Sequence, residues 1–244
     1  MNDKEWFESW FDTSYYHLLY NHRDEKEAEK FISNLLQLLQ LPKGSAVLDA
    51  ACGKGRHAKF FSCQGLETTG FDLSANSIQE AKKLENEHLK FEVWDIRKVF
   101  QENSFDLVTN LFSSFGYFKE EENDQMAISA MANSVKAGGT FVMDYMNGEK
   151  IIKLLKPREI IDKGDIQFHI QKKLVNGFIQ KKIEFLADGE DHQYEENLKI
   201  IKPEQFNKLF TNAGLEIIHR FGDYDLNPFN AAESMRQIMI AVKK

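Results

Sequence analysis

Residues Val47–His57 read VLDAACGKGRH. An apolar run is interrupted by Asp49, and two glycines follow one residue apart, at Gly53 and Gly55. A short apolar run ending in glycines predicts a buried strand that turns tightly into a helix. Working outward, GRHAKFFSCQG continues as a helix ended by Gly65, and LETTGFDLS is the next strand. Ser74 is placed to cap the helix ANSIQEAKKLENE. LKFEVWDI and FDLVTNLF are a third and a fourth strand, EEENDQMAISAMANSVKAGG a helix closed by a glycine pair, and TFVMDYM a fifth strand. Upstream, EAEKFISNLLQLLQL sets Phe31, Leu35, Leu38 and Leu39 on one helical face. Strands alternating with helices predict a doubly wound α/β fold, a parallel sheet covered on both faces, with its binding edge at the strands' C-terminal ends.

The pattern changes after residue 156. From Arg158 to Ile201, apolar and polar residues alternate in runs, and Asn176-Gly177 carries a type I′ hairpin signal. This predicts a three- or four-stranded antiparallel insertion after the fifth strand. KPEQFNKLFTNAG returns to a helix, with Pro203 near its start and Gly214 at its end. LEIIHRF and SMRQIMIAVKK close the chain as two strands joined by the loop GDYDLNPFNAAE. The expected division is a main unit of residues 1–156 and 202–244, with a helical cap over 1–43, and an insertion over 157–201 that serves as an acceptor lid or a dimer interface.

The 244 residues carry a net charge of -7, and the pI is near 5.6. That balance argues against a dedicated nucleic-acid binder, which usually presents a basic face. No apolar run is long enough to span a bilayer, and the acidic, aromatic first residues do not form a signal peptide. The two cysteines, Cys52 and Cys63, have no metal-ligand partner at a useful spacing. A cytoplasmic protein with no bound metal is expected.

Gly53-Lys54-Gly55-Arg56-His57-Ala58 satisfies G-x-G-x-x-A, so a nicotinamide or flavin enzyme is one reading of the loop. Asp49 weighs against it. A pyrophosphate bound at this strand end would meet a carboxylate of like charge. S-adenosylmethionine, an adenosine with an α-ammonium and a sulfonium but no phosphate, has the opposite preference. Alternatively, Asp49 caps the loop through its backbone N–H groups. Asp72, ending TTGFD, has two oxygens to offer a ribose diol, and Asp95, ending FEVWD, stands where an adenine amine needs an acceptor. Each alone is commonly a turn residue; three acids ending three successive strands make a pattern.

VLDAACGKGRHAKFF, TTGFDLSANSIQEAKK, FEVWDIRK and FDLVTNLFSSFGYF together resemble the successive motifs of class I S-adenosylmethionine-dependent methyltransferases. The resemblance runs from about Ser45 to Met146 and resumes through KPEQFNKLFTNAGLEII. It implies a Rossmann-like seven-stranded sheet with a reversed last strand. It also implies Asp49, Ala51, Gly53 and Gly55 along the methionine end, Asp72 and Leu73 at the ribose, Asp95 and Ile96 at the adenine, and Leu111 under the ribose and sulfonium. The N-terminal FDTSYYHLLYNHRDEKEAEKF is similar to a leading segment that closes over the cofactor, which makes Tyr16, Tyr20 and Arg23 candidates there. NLFSSFGYF is similar to small-molecule N-methyltransferases, although the amino-sugar enzymes tend to carry a His where this chain has Tyr117.

Methyl transfer from a sulfonium is an in-line displacement from an activated leaving group, so no residue is obliged to act as acid or base. Tyr16, Tyr117 and Tyr145 are candidates to orient an acceptor. The reading is methyl transfer to a small-molecule acceptor. A protein or RNA methyltransferase and a non-catalytic cofactor-binding module are the alternatives. In the insertion, Phe168, Phe178 and Phe185, with lysine pairs 172–173 and 181–182, are expected to form an acceptor pocket or a homodimer interface. Tyr224 and Phe229 are expected near the same edge.

Overall fold

The computed structural model describes residues 5–20 and 25–244. The VLDAA run forms β1 (Ala46–Ala50), buried at every position but the first. A strand buried on both faces belongs at a sheet's centre, and β1 pairs in parallel with both β2 (Glu67–Asp72) and β4 (Phe105–Asn110). β3 (Leu89–Val93) pairs beyond β2, and β5 (Val135–Met146) beyond β4. Near the C-terminus, β10 (Leu215–Phe221) and β11 (Arg236–Lys243) form an antiparallel pair, and β11 runs antiparallel to β5. The seven strands lie in the order β10-β11-β5-β4-β1-β2-β3. β11 is the reversed strand, so the sheet is the Rossmann-like one expected.

Among the helices, α3 (Glu25–Leu39) buries Ala28, Phe31, Ile32 and Leu35. Leu38, expected on that face, is exposed because the stripe has rotated away from the sheet by the last turn. The remaining cover comes from α4 (Arg56–Cys63), α5 (Ala75–Ala81) with a 3₁₀ turn after it, α6 (Glu121–Ser134), the short α7 (Gly148–Lys153) and α8 (Pro203–Asn212). Ser74 caps α5, its hydroxyl accepting from Ser77 N–H at 3.0 Å. α6 ends four residues before the glycine pair that was expected to close it. Those residues instead start β5, where the β4 register shifts and Gly138 takes φ +73°. No helix among the described residues is long and apolar enough to cross a membrane.

The insertion forms one antiparallel sheet of four strands in sequence order: β6 (Arg158–Lys163), β7 (Ile166–Val175), β8 (Phe178–Ala187) and β9 (Glu190–Lys199). Its alternating pattern buries Phe168, Ile170, Ile183 and Phe185 on one face. At one end of that face Ile179 joins the main core cluster. The face packs against Trp10 and Leu19, from α1 (Trp6–Trp10) and α2 (Ser14–Leu19). A buried ion pair between Lys199 of β9 and Asp124 of α6 fastens the insertion's far end to the main layer. Beside it, Tyr145 Oη donates to the Lys199 carbonyl at 2.7 Å.

Gly55 precedes α4 at φ +79°, and a Cβ there would overlap the ring of Phe91. This glycine therefore answers both a backbone and a packing demand. Gly55→Ala should cost on the order of 2–4 kcal/mol through overpacking and left-handed strain together. Urea unfolding checks it, and a loss below about 1 kcal/mol would mean that the β3 side of the sheet yields easily.

Candidate functional site

A cavity of about 570 Å³ opens at the C-terminal ends of β1, β2, β3 and β4. Its wall includes Asp49, Ala51, Gly53, Asp72, Leu73, Asp95, Ile96, Leu111, Tyr16, Tyr20 and Tyr117. The local backbone explains how one turn exposes so many groups. Ala51 sits at φ +58° and Gly53 at φ +57°, so the chain reverses immediately after β1. Cys52 N–H then donates to the Phe71 carbonyl at 2.9 Å, holding the turn against β2. Gly55 is buried beneath this loop and is not part of the cavity wall.

The three strand-end acids have different surroundings. Asp49 is 1% exposed; its Oδ1 accepts from Thr109 Oγ1 at 2.9 Å, and its Oδ2 is buried without a hydrogen-bond partner. Burial pushes its carboxyl up to about 7; the Thr109 bond, the nearby Ala58 backbone N–H and Arg56 lower it, and Asp72 raises it. Asp72 accepts from Gly53 N–H at 2.8 Å through Oδ2 and from Ser74 N–H at 2.9 Å through Oδ1. Burial raises its carboxyl too, with those backbone bonds opposing. Asp95 is held by Arg97, whose Nη2 lies 2.7 Å from Oδ2 and whose backbone N–H donates to Oδ1 at 2.9 Å. Partial burial opposes ionisation of Asp95, but the Arg97 bonds outweigh it and hold the carboxyl below its ordinary value.

The N-terminal helices cover the cavity. Glu5, before α1, pairs with Arg97 at 3.0 Å. Asp12, between α1 and α2, accepts from Ser74 Oγ at 2.6 Å and from Asn76 N–H at 3.0 Å, at the start of α5. Two acids seven residues apart thus tie the cover to two separate strand-end loops, and Glu8 between them borders the cavity. Phe7, Phe11, Tyr16, His17 and Tyr20 complete this side. Arg23 lies outside the described residues. Among the described residues, the insertion contributes none to the cavity wall, because α1 and α2 stand between. Phe168 and Phe185 are spent on packing those helices.

Tyr145 is corrected by the structure. It is fully buried in the main core, packed edge-on to Phe206 and bonded to the Lys199 carbonyl, and it does not reach the cavity. Tyr224 packs on Phe31, donates to Asp144 Oδ2 at 3.0 Å and does not line the cavity. Tyr117 does line the cavity, with its hydroxyl donating to the Ser113 carbonyl at 2.8 Å.

A further wall came without a sequence signal. Phe112 and Ser113, just past β4, hold φ of +61° and +62°, unusual for side chains of this kind. Asp144 of β5 keeps them there: Oδ2 accepts from Phe112 N–H at 2.8 Å, and its carbonyl accepts from Ser113 N–H at 2.9 Å. Arg236 of β11 pairs with Asp144 at 2.7 Å and donates to Ser113 Oγ at 3.1 Å. The Phe112 ring, on the cavity wall, lies between the guanidinium groups of Arg56 and Arg236, at 5.1 and 5.6 Å. Strain maintained by a buried ion pair marks a functional edge.

Asp49 predicts a measurable conflict between stability and function. Its folded-state carboxyl, at about 7 against an ordinary 3.8, holds its proton more tightly than in the unfolded chain. The stability it contributes is complete below about pH 4 and is lost as pH rises through about 7. Asp49→Asn keeps an oxygen for Thr109 and removes the charge. Its stability relative to the parent protein should improve by on the order of 2–3 kcal/mol between about pH 5 and pH 8. Denaturant melts of both proteins at those pH values test this, and parallel pH profiles would contradict it.

Residues 47–139 match the family model described as a methyltransferase domain. The dTDP-3-amino-3,4,6-trideoxy-alpha-D-glucopyranose N,N-dimethyltransferase of Streptomyces venezuelae is 31% identical over 103 residues, which cover 42% of this chain and 43% of that relative. The chain thus spans less than half the length of that relative. An S-adenosylmethionine-dependent methyltransferase from Clostridium acetobutylicum superposes with a TM-score of 0.80 at 22% identity, covering 94% of this chain and 96% of that one. An S-adenosylmethionine-bound amino pentose methyltransferase from Micromonospora echinaspora gives a TM-score of 0.73 at 16% identity, covering 95% and 98%. At these identities the two superpositions establish a common fold. The matched domain spans the β1 loop, all three strand-end acids and the segment after β4, and the fold around it is one shared with S-adenosylmethionine-dependent methyltransferases.

Proposed function

We propose that this chain transfers a methyl group from S-adenosylmethionine to an amine of a small polar molecule, by in-line displacement within the cavity. The observation that carries the reading is Asp49 Oδ2, a buried acceptor on the cavity wall with no hydrogen-bond partner among the described residues. Such an atom is costly unless a ligand donor answers it. An α-ammonium would answer it with a charge-assisted bond, and a pyrophosphate would not. The donor chemistry is that of a sulfonium, whose methyl departs from a neutral thioether without acid assistance.

The chain's own residues supply binding, orientation and exclusion of water. Asp49 would hold the ammonium, and the lone pairs of Asp72 left over from Gly53 and Ser74 would face the ribose. Ile96 and the exposed Leu73 offer apolar contact for the nucleoside, with Leu111 beneath it. The carboxylate of Asp95 is committed to Arg97, so its part is to fix the loop that carries Ile96. Glu5 and Asp12 hold the N-terminal cover down, and a covered cavity brings the reacting groups together in a low-dielectric space. Phe7, Phe11, Phe112 and Tyr117 give the remaining wall aromatic faces that favour an amine or its conjugate acid. Names of relatives point the same way: amino-sugar N,N-dimethyltransferases, and the glycine N-methyltransferase of Homo sapiens, 29% identical over 136 residues.

Two experiments test the reading. Calorimetric affinity for S-adenosylhomocysteine should hold level above about pH 7.5 and weaken by up to about tenfold per unit below about 7, as Asp49 gains its proton. Asp49→Asn should flatten that profile and bind at least about tenfold more weakly at pH 8. Tighter binding of NAD than of S-adenosylhomocysteine would overturn the donor assignment. For the acceptor, a panel of nucleotide-linked amino sugars, amino acids and simple amines, scored by release of S-adenosylhomocysteine, should yield turnover on an amine. On that amine Tyr117→Phe should lower kcat about tenfold or more while leaving S-adenosylhomocysteine affinity within about twofold. Turnover only on a protein or RNA would refute the small-molecule reading.

A further inference from the structure

The insertion has no side chain in the cavity, yet its buried face is not uniformly apolar. Beside Phe168, Ile170, Ile183 and Phe185 runs a row of charges, one from each strand: Glu159, Lys172, Lys181 and Glu196. Lys172 pairs with Glu159 at 2.6 Å, and Lys181 with Glu196 at 3.5 Å. Lys181 lies opposite Lys172 on one side and opposite Glu196 on the other. Apolar residues would hold this sheet together at lower desolvation cost. What a charged row adds is a fixed position for whatever bonds to it.

Two bonds descend on the row from the cavity's cover. Trp10 of α1 donates through Nε1 to Glu196 Oε1 at 2.7 Å, and its ring stacks on Tyr194, with centroids 4.4 Å apart. Tyr20, at the end of α2, donates to Glu196 at 2.8 Å and accepts from Lys181 Nζ. The side chains of Lys181 and Glu196 are 12% and 17% exposed, so water competes poorly for these bonds. Tyr20 also lines the cavity, and its ring packs on Tyr16, another cavity residue, with centroids 4.9 Å apart. Among the described residues, Tyr20 is the cavity-wall residue that bonds directly to the charge row.

We propose that Glu196 and Lys181 are positioning residues for the donor cavity, setting through Tyr20 the position in which α2 covers it. The insertion is then the anchor of the cover, and it acts on donor binding without touching the donor. The inference rests on the donor reading above, and two readouts separate the two. Hydrogen exchange on the unliganded protein reports the coupling alone: Glu196→Gln and Lys181→Met should speed exchange across residues 6–20 by about tenfold, leaving the strands β7 and β8 unchanged. Calorimetry and stopped-flow with S-adenosylhomocysteine report the consequence: each variant should bind about 5–20-fold more weakly, chiefly through faster release. Tyr20→Phe should behave alike, and the double variant Tyr20→Phe/Glu196→Gln should be no worse than Glu196→Gln alone within about twofold, because the Tyr20–Glu196 bond is lost in both. Unchanged exchange across residues 6–20, or losses that multiply in the double variant, would overturn the proposal. Altered exchange in a protein that does not bind S-adenosylhomocysteine would uphold the coupling and reject the donor reading.

Discussion

A carboxylate sealed under the end of a parallel strand is the constraint around which this chain is arranged. Asp49 is buried on the central strand, one oxygen met by Thr109 and the other by no hydrogen-bond donor among the described residues. Burial without a full set of partners raises its carboxyl and costs stability. A fold keeps such a group when a ligand answers it. The left-handed turn at Ala51 and Gly53 brings the ligand's space over this oxygen, and the acidic ties at Glu5 and Asp12 close that space.

The main sheet was legible because central strands leave an unambiguous pattern. The adjacent apolar pairs Val47-Leu48 and Leu107-Val108 break strand alternation, as burial on both faces requires. The insertion was legible for the opposite reason: its strict alternation and the Asn176-Gly177 turn exclude a place in the parallel layer. Its orientation was not legible. Periodicity identifies which face of a sheet is buried but not what buries it, so Phe168 and Phe185 read equally well as pocket or packing. The partner turned out to be the chain's own first helices. Tyr145 misled for a related reason. It follows the fifth strand's apolar run at a plausible distance, but strand alternation and β11 pairing direct it into the core.

Long-range polar pairs were invisible for want of any local signal. Asp144 and Arg236 are 92 residues apart and meet only because β5 and β11 are neighbours. Together they hold Phe112 and Ser113 in left-handed backbone, a conformation no sequence pattern around NLFSSFG announces. The Arg97–Asp95 pair is local, two residues apart, and was overlooked because Asp95 was read as a free acceptor. A basic residue two positions after a strand-end acid is a signal that the acid has a partner already.

That distinction separates the three strand-end acids by the work each has left to do. Asp95 spends its oxygens on Arg97, which also bonds Glu5 and covers the Phe118 ring at 4.9 Å. It therefore ties the loop after β3 to the cover. Asp72 gives one lone pair of each oxygen to the Gly53 and Ser74 N–H groups, so it shapes the glycine loop while retaining capacity for a ligand. Asp49 alone keeps an oxygen unanswered. Three residues of one type, at equivalent ends of adjacent strands, thus grade from well partnered to partly unpartnered. The gradient follows the number of protein donors that each has within reach. On the proposed reading, donor specificity would depend most on the acid with the fewest partners, and loss of either of the other two would act first on the shape of the cavity.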